Sequence, residues 1–180
     1  PQLLSLPCTG EGEKKGTTPF YWLCVTDTGQ ELLKENWGFF SQRIQEEPQL
    51  LSLPCTGEGE EKGITPFYLL CGLDTGQELL KEHWNDFAVI IQDNPKILFT
   101  PCESEGACNG TSAFYWLCSS DIGIEILTER KEFFCKIIEK DNSLLDLENA
   151  DINARSEALF LQLKPKGKAI LDLFLNGYKK

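Results

Sequence analysis

Eight cysteines are the residues of this 180-residue chain best placed to do chemistry. Six of them form three pairs, Cys8 with Cys24, Cys55 with Cys71 and Cys102 with Cys118, each pair 16 positions apart and each displaced from the last by 47. An even count at repeated spacing reads as a disulfide framework. Bridging each pair would close a loop of about 15 residues, worth about 3 kcal/mol if the bridge acts on chain entropy. Cys108 and Cys135 occur only in the third copy and supply a fourth pair, from connector to helix. Zinc is a poor rival, because its sites use closely spaced ligand pairs and the only histidine is His83. No C-x-x-C motif supports a thiol redox enzyme. Neither a metal nor a cofactor is expected.

The remaining candidates for chemistry are sparse. His83 stands where the other copies carry Asn36 and Arg130, so no hydroxyl or thiol has a repeated base partner. Glu11 with Glu13, and Glu58 with Glu60, pair carboxylates in glycine-rich connectors, where rigid placement and a raised pKa are hard to arrange. Two carboxylates also fall short of the roughly six to eight oxygens that calcium takes. No phosphate-cradling or dinucleotide glycine pattern is present. The chain is therefore expected not to be an enzyme. Asn109-Gly110-Thr111 is a glycosylation sequon and Asn109 its candidate acceptor. With the cysteines, it points to an oxidising compartment: secreted, extracellular, or an organelle lumen such as that of the thylakoid.

The elements that position these residues recur. Residues 1–47 are written again at 48–94 with 13 differences, and more loosely at 95–141. A fourth, degenerate copy at 142–180 is expected to cap the array. A unit this small buries too little apolar surface to fold alone, and stacking lets each copy cover the next.

Within each unit, Leu3 to Leu6 is a short apolar run, and the glycine-rich, charged stretch after Cys8 is an exposed connector. Phe20 to Val25 is aromatic and β-branched, which favours a strand. Thr28 with Glu31 has the spacing of a capping box, repeated by Thr75 with Glu78, while Asp121 is the expected N-cap of the third copy. Leu33, Trp37, Phe40 and Ile44 then mark one face of a helix, as do Leu80, Trp84, Phe87 and Ile91. In the third copy Leu127, Phe134 and Ile138 keep the stripe, but Lys131 replaces the tryptophan. The expected fold class is α+β: tandem ββα repeats, antiparallel hairpins each followed by an amphipathic helix, stapled by disulfides.

Composition bounds the function. Seventeen basic against 28 acidic residues, a net charge of −11, argues against nucleic acid and against an anionic membrane surface. No apolar run approaches the roughly 20 residues that span a bilayer. The absence of methionine and a start on a repeat boundary suggest a processed product or excised segment. Tyr21, Trp22, Tyr68, Tyr115 and Trp116 place aromatics on both faces of the expected strands. They are interaction candidates wherever neighbouring units leave them uncovered. The expected role is a non-catalytic protein-interaction or structural repeat protein, an accessory or linker subunit of a larger, membrane-bound assembly. The alternative is a small secreted enzyme inhibitor or ligand carrier.

Overall fold

A computed structural model describes residues 2–9, 15–57, 59–104 and 106–140, with isolated positions at 165, 167, 169 and 172. The described part of the first unit holds a 3-10 turn at Gln2–Ser5, then α1 (Pro19–Val25), α2 (Asp27–Glu35) and α3 (Trp37–Glu46). The second unit repeats them as α4 (Gln49–Ser52), α5 (Pro66–Gly72), α6 (Asp74–Glu82) and α7 (Trp84–Asp93). The third gives α8 (Lys96–Phe99), α9 (Ala113–Ser119), α10 (Asp121–Glu129) and α11 (Lys131–Lys140). The fourth copy, 142–180, lies outside the described residues except for Pro165, Gly167, Ala169 and Asp172, which are helical.

No strand occurs among the described residues, so the α+β, ββα expectation is corrected to an all-helical array. The aromatic run misled because its start signal is helical. Thr18 is an N-cap whose hydroxyl accepts the Tyr21 N–H at 3.0 Å, and Pro19 follows at the first helical position. Thr65 does the same for Tyr68 at 3.1 Å and Ser112 for Tyr115 at 3.2 Å. Burial of Phe20 and Cys24, four residues apart on one helical face, then outweighs the weak β-preference of the side chains.

The single helix expected from Leu33 to Ile44 is two helices, broken at Asn36, His83 and Arg130 in the successive units. All four stripe residues are nevertheless buried, as are their counterparts other than Lys131, which is exposed. The caps also shift. Thr26 accepts the Gly29 N–H at 3.1 Å and Ser120 the Gly123 N–H at 2.9 Å, one residue ahead of the aspartates that open α2 and α10. Leu73 holds this position in the second unit and offers no side-chain cap.

All eight cysteines are free, which overturns the four expected bridges. Their regular spacing has two other causes. Cys8, Cys55 and Cys102 close the base of each connector through the main chain. The Cys8 N–H donates to the Thr17 carbonyl at 2.7 Å, and the Gly16 N–H donates back to the Cys8 carbonyl at 2.9 Å. The same two bonds join Cys55 to Ile64 and Gly63, and Cys102 to Thr111 and Gly110. Gly16, Gly63 and Gly110 turn the chain at φ of 78°, 79° and 80°, where a side chain is strained. Cys24, Cys71 and Cys118 instead face the core from the first long helix of each unit. Burial pushes the thiols of Cys24 and Cys71 up, and that of Cys118 up to about 12, so they behave as small apolar groups. Cys108 in its connector and Cys135 on α11 are both half-buried. The oxidising, secreted or lumenal location rested on the bridges together with the Asn109 sequon, and the free cysteines overturn it.

Helices stack in rows along the array. α1, α5 and α9 form one row, α2, α6 and α10 a second, and α3 with α7 a third. The rows meet within each unit through a close approach at the first turn of α2. A Cβ on Gly29 would lie 2.6 Å from the Leu23 carbonyl oxygen, and one on Gly76 2.5 Å from that of Leu70. Only glycine fits there, and Gly123 meets Leu117 in the same way.

Candidate interaction surface

The five aromatic candidates are spent largely on stacking. Tyr21 and Tyr68 are buried between units. The Tyr68 hydroxyl meets Thr111 Oγ1 of the next unit at 2.5 Å, and the Thr111 hydroxyl lies 2.6 Å from the Cys108 carbonyl. Burial, with Glu61 behind it, raises the Tyr21 hydroxyl above its ordinary range, and burial with Cys108 does so for Tyr68. Trp116 packs edge-on against Tyr68 at 6.1 Å. The Trp22 indole donates to Thr17 Oγ1 at 2.9 Å within its own unit. Trp22, Tyr115 and Trp116 are half-buried.

The sequon lies in the third connector. Asn109 sits half-buried in a tight turn, its N–H donating to the Gly106 carbonyl at 3.1 Å, and the Thr111 side chain is buried. Of the four connector carboxylates, Glu60 is exposed, while Glu11, Glu13 and Glu58 lie outside the described residues. No cluster of three or more metal-ligating side chains occurs among the described residues.

The third row carries chemistry that the stripe did not reveal. Trp37 lies face-on to His83 at 5.1 Å and to Phe87 at 4.9 Å, and its indole donates to Asp86 Oδ2 at 2.8 Å. The histidine is thus a stacking platform for the preceding unit. Trp84 repeats the reach into the third unit, packing against Phe133 at 5.2 Å and Phe134 at 5.4 Å.

Beside these contacts the units leave a groove, and it occurs twice in the same register. The first, of about 570 Å³, is lined by Gln45, Pro48, Val89, Ile90 and Asp93 among others. The second, of about 1090 Å³, is lined by their counterparts Gln92, Pro95, Lys136, Ile137 and Lys140. Position by position, Val89 becomes Lys136 and Asp93 becomes Lys140. The second groove adds Arg130 and Lys131, with Glu129, Glu132 and Asp93 among them. One groove is mainly apolar and the next is rich in cations, within a chain of net charge −11.

Sequence reasoning passed over these grooves because it followed only the apolar face of the expected amphipathic helices. A signal was present. Of the 13 differences between the first two copies, 8 fall in positions 36–47, whereas α2 and α6 are identical. Variation concentrates on the helix that lines the grooves. No helix among the described residues is long and apolar enough to cross a membrane. No known protein family, curated protein or solved structure matches this chain.

Proposed function

We propose that the chain is a non-catalytic interaction scaffold, a helical repeat array that holds other proteins in the grooves between its third-row helices. The observation that carries this reading is that the first two units differ mainly on the helix that lines the grooves, whereas the second-row helices that pack between units, α2 and α6, are identical. Stacking contacts constrain the buried positions of a repeat array, and the extended surface beside them is left to contact partners. An accessory or linker role in a larger assembly fits a surface of this kind. The groove chemistry suits a linear segment that places an apolar side chain against Val89 and Ile90 and acidic side chains against Lys136 and Lys140. The histidine engaged in stacking and the raised thiols of the core add no catalytic constellation to this picture.

Selection of linear peptides on the whole chain from a random displayed library tests the reading. Acidic peptides with one apolar anchor are expected to be enriched. Lys136→Glu with Lys140→Glu should weaken them by about tenfold or more, as loss of charge-assisted contacts does. Peptides that bind unchanged to that variant and to Val89→Glu, or a selection that yields no binders, would remove the proposal.

A further inference from the structure

The outer side of the first unit differs from its counterparts in a way that serves as an internal control. α2 and α6 share the sequence DTGQELLKE, so differences in the exposure of their side chains come from what lies beside them. Leu32 of α2 is 45% exposed, whereas its counterparts Leu79 and Ile126 are each 2% exposed. Leu3 is 74% exposed, against 1% for Leu50 and 8% for Ile97. Cys8 is exposed where Cys55 and Cys102 are buried. Phe39 is 56% exposed, while its counterpart Phe133 packs on Trp84 of the unit before it. In the second and third units the cover comes from the preceding unit, through contacts of α2 with α6, of α6 with α10 and of the 3-10 turn with α4.

We propose that this face is an open stacking site whose occupant is another unit of the same repeat, joined in register ahead of Pro1. The inference is independent of what the grooves bind. The receiving chemistry is already in place. Exposed Glu31 stands where Glu78 and Glu125 take Lys34 and Lys81, and Phe40 stands where Phe87 and Phe134 take an indole. The occupant must therefore present a tryptophan at the position of Trp37, and a lysine at that of Lys34 completes the repeated exposed pair. The third unit carries Lys131 and Thr128 at those positions. Residues 142–180, which follow it, hold no tryptophan either, so a head-to-tail stack of separate copies lacks the indole anchor, which favours an added unit of the first or second kind.

The test compares the 180-residue chain with one that carries an extra copy of residues 1–47 fused ahead of Pro1. Maleimide labelling is followed residue by residue through peptide mass spectrometry. Cys8 labelling is expected to slow by about tenfold or more in the extended chain, toward the rate of Cys55, because burial makes labelling wait for local opening. Trp37→Ala in the added copy alone should restore fast labelling. Leu32→Lys should leave the melting of the 180-residue chain unchanged yet abolish the stabilisation of the extended one. Unchanged Cys8 labelling, or a separate low-temperature transition for the added unit, would overturn the inference. So would a dimer of the 180-residue chain that Leu32→Lys dissolves, since the occupant would then be a second copy.

Discussion

The junction between the first and second units and the junction between the second and third share a backbone plan but place their polar bonds differently. At the first junction the polar link lies in the third row, where the Trp37 indole donates to Asp86. In the other rows it has Leu73 at the cap position and Ile64 where the third unit has Thr111. At the second junction the third row is aromatic, with Trp84 between Phe133 and Phe134. Its polar links lie deeper. Tyr68 meets Thr111, and the Gln77 amide oxygen accepts from the Ser120 hydroxyl and the Gly123 N–H. Apolar packing holds both junctions shut, and a polar bond at a different level, half-buried at the first and buried at the second, gives each its own pairing preference. What recurs without change, Lys34 to Glu78 at 3.1 Å and Lys81 to Glu125 at 2.6 Å, is exposed and adds little.

Truncating either tryptophan should have the largest effect. Trp37→Ala and Trp84→Ala are each expected to cost about 3–5 kcal/mol in chemical denaturation, from lost burial and the cavity left behind. Trp→Phe should separate the junctions. The Trp37→Phe variant loses its bond to Asp86 and should be about 1 kcal/mol the worse of the two. Equal costs would mean that this bond does not distinguish the junctions.

Next comes Gln77→Leu. It removes the acceptor for Ser120 and Gly123 and the donor to the Cys71 carbonyl, and should cost about 2 kcal/mol. Gln30→Leu breaks the bond to the Cys24 carbonyl alone and should cost less.

A smaller effect is set by pH. The Cys118 thiol is raised in the fold from 9.0 to about 12, so the folded chain holds its proton when the unfolded chain has lost it. Stability is then intact below the ordinary thiol value and falls as pH rises through that window, by about 1–2 kcal/mol at pH 10 for this thiol. Denaturation of the Cys118→Ala variant across the same range should show a flatter decline. An unchanged slope would mean that Cys118 ionises in the fold as readily as out of it. The smallest effect belongs to the repeated ion pairs. Lys34→Ala and Lys81→Ala should leave the melting midpoint unresolved from that of the parent, and a clear drop would restore the pairs to the comparison.

The 47-residue period and the buried stripe were legible in the sequence, because stacking needs the same apolar positions in every copy. Strand was read for helix at Phe20 to Val25 because six aromatic and β-rich residues outweighed the two before them. Thr18-Pro19 is an N-cap and first-turn proline, and it carried the truer signal. The break at Asn36 was hidden because the stripe keeps its spacing across it, so periodicity alone registers one helix. The cysteines misled for a different reason. Regular spacing in a repeat reports equivalent environments, and here those are a main-chain closure and a buried helix face. The grooves became legible only when the copies were compared with one another rather than read in line.

The identity of α2 and α6 has a kinetic consequence. Each presents the same lysine, leucines and glutamine to whatever follows, so in a denatured chain either helix can dock on α10. When α2 arrives first, Gln30 can take the place of Gln77 at Ser120, and the second unit is looped out. Such an array must undock before it can complete its stack. Refolding should therefore show a slow, off-register phase that disappears when the Gln30 and Gln77 sites are made unlike.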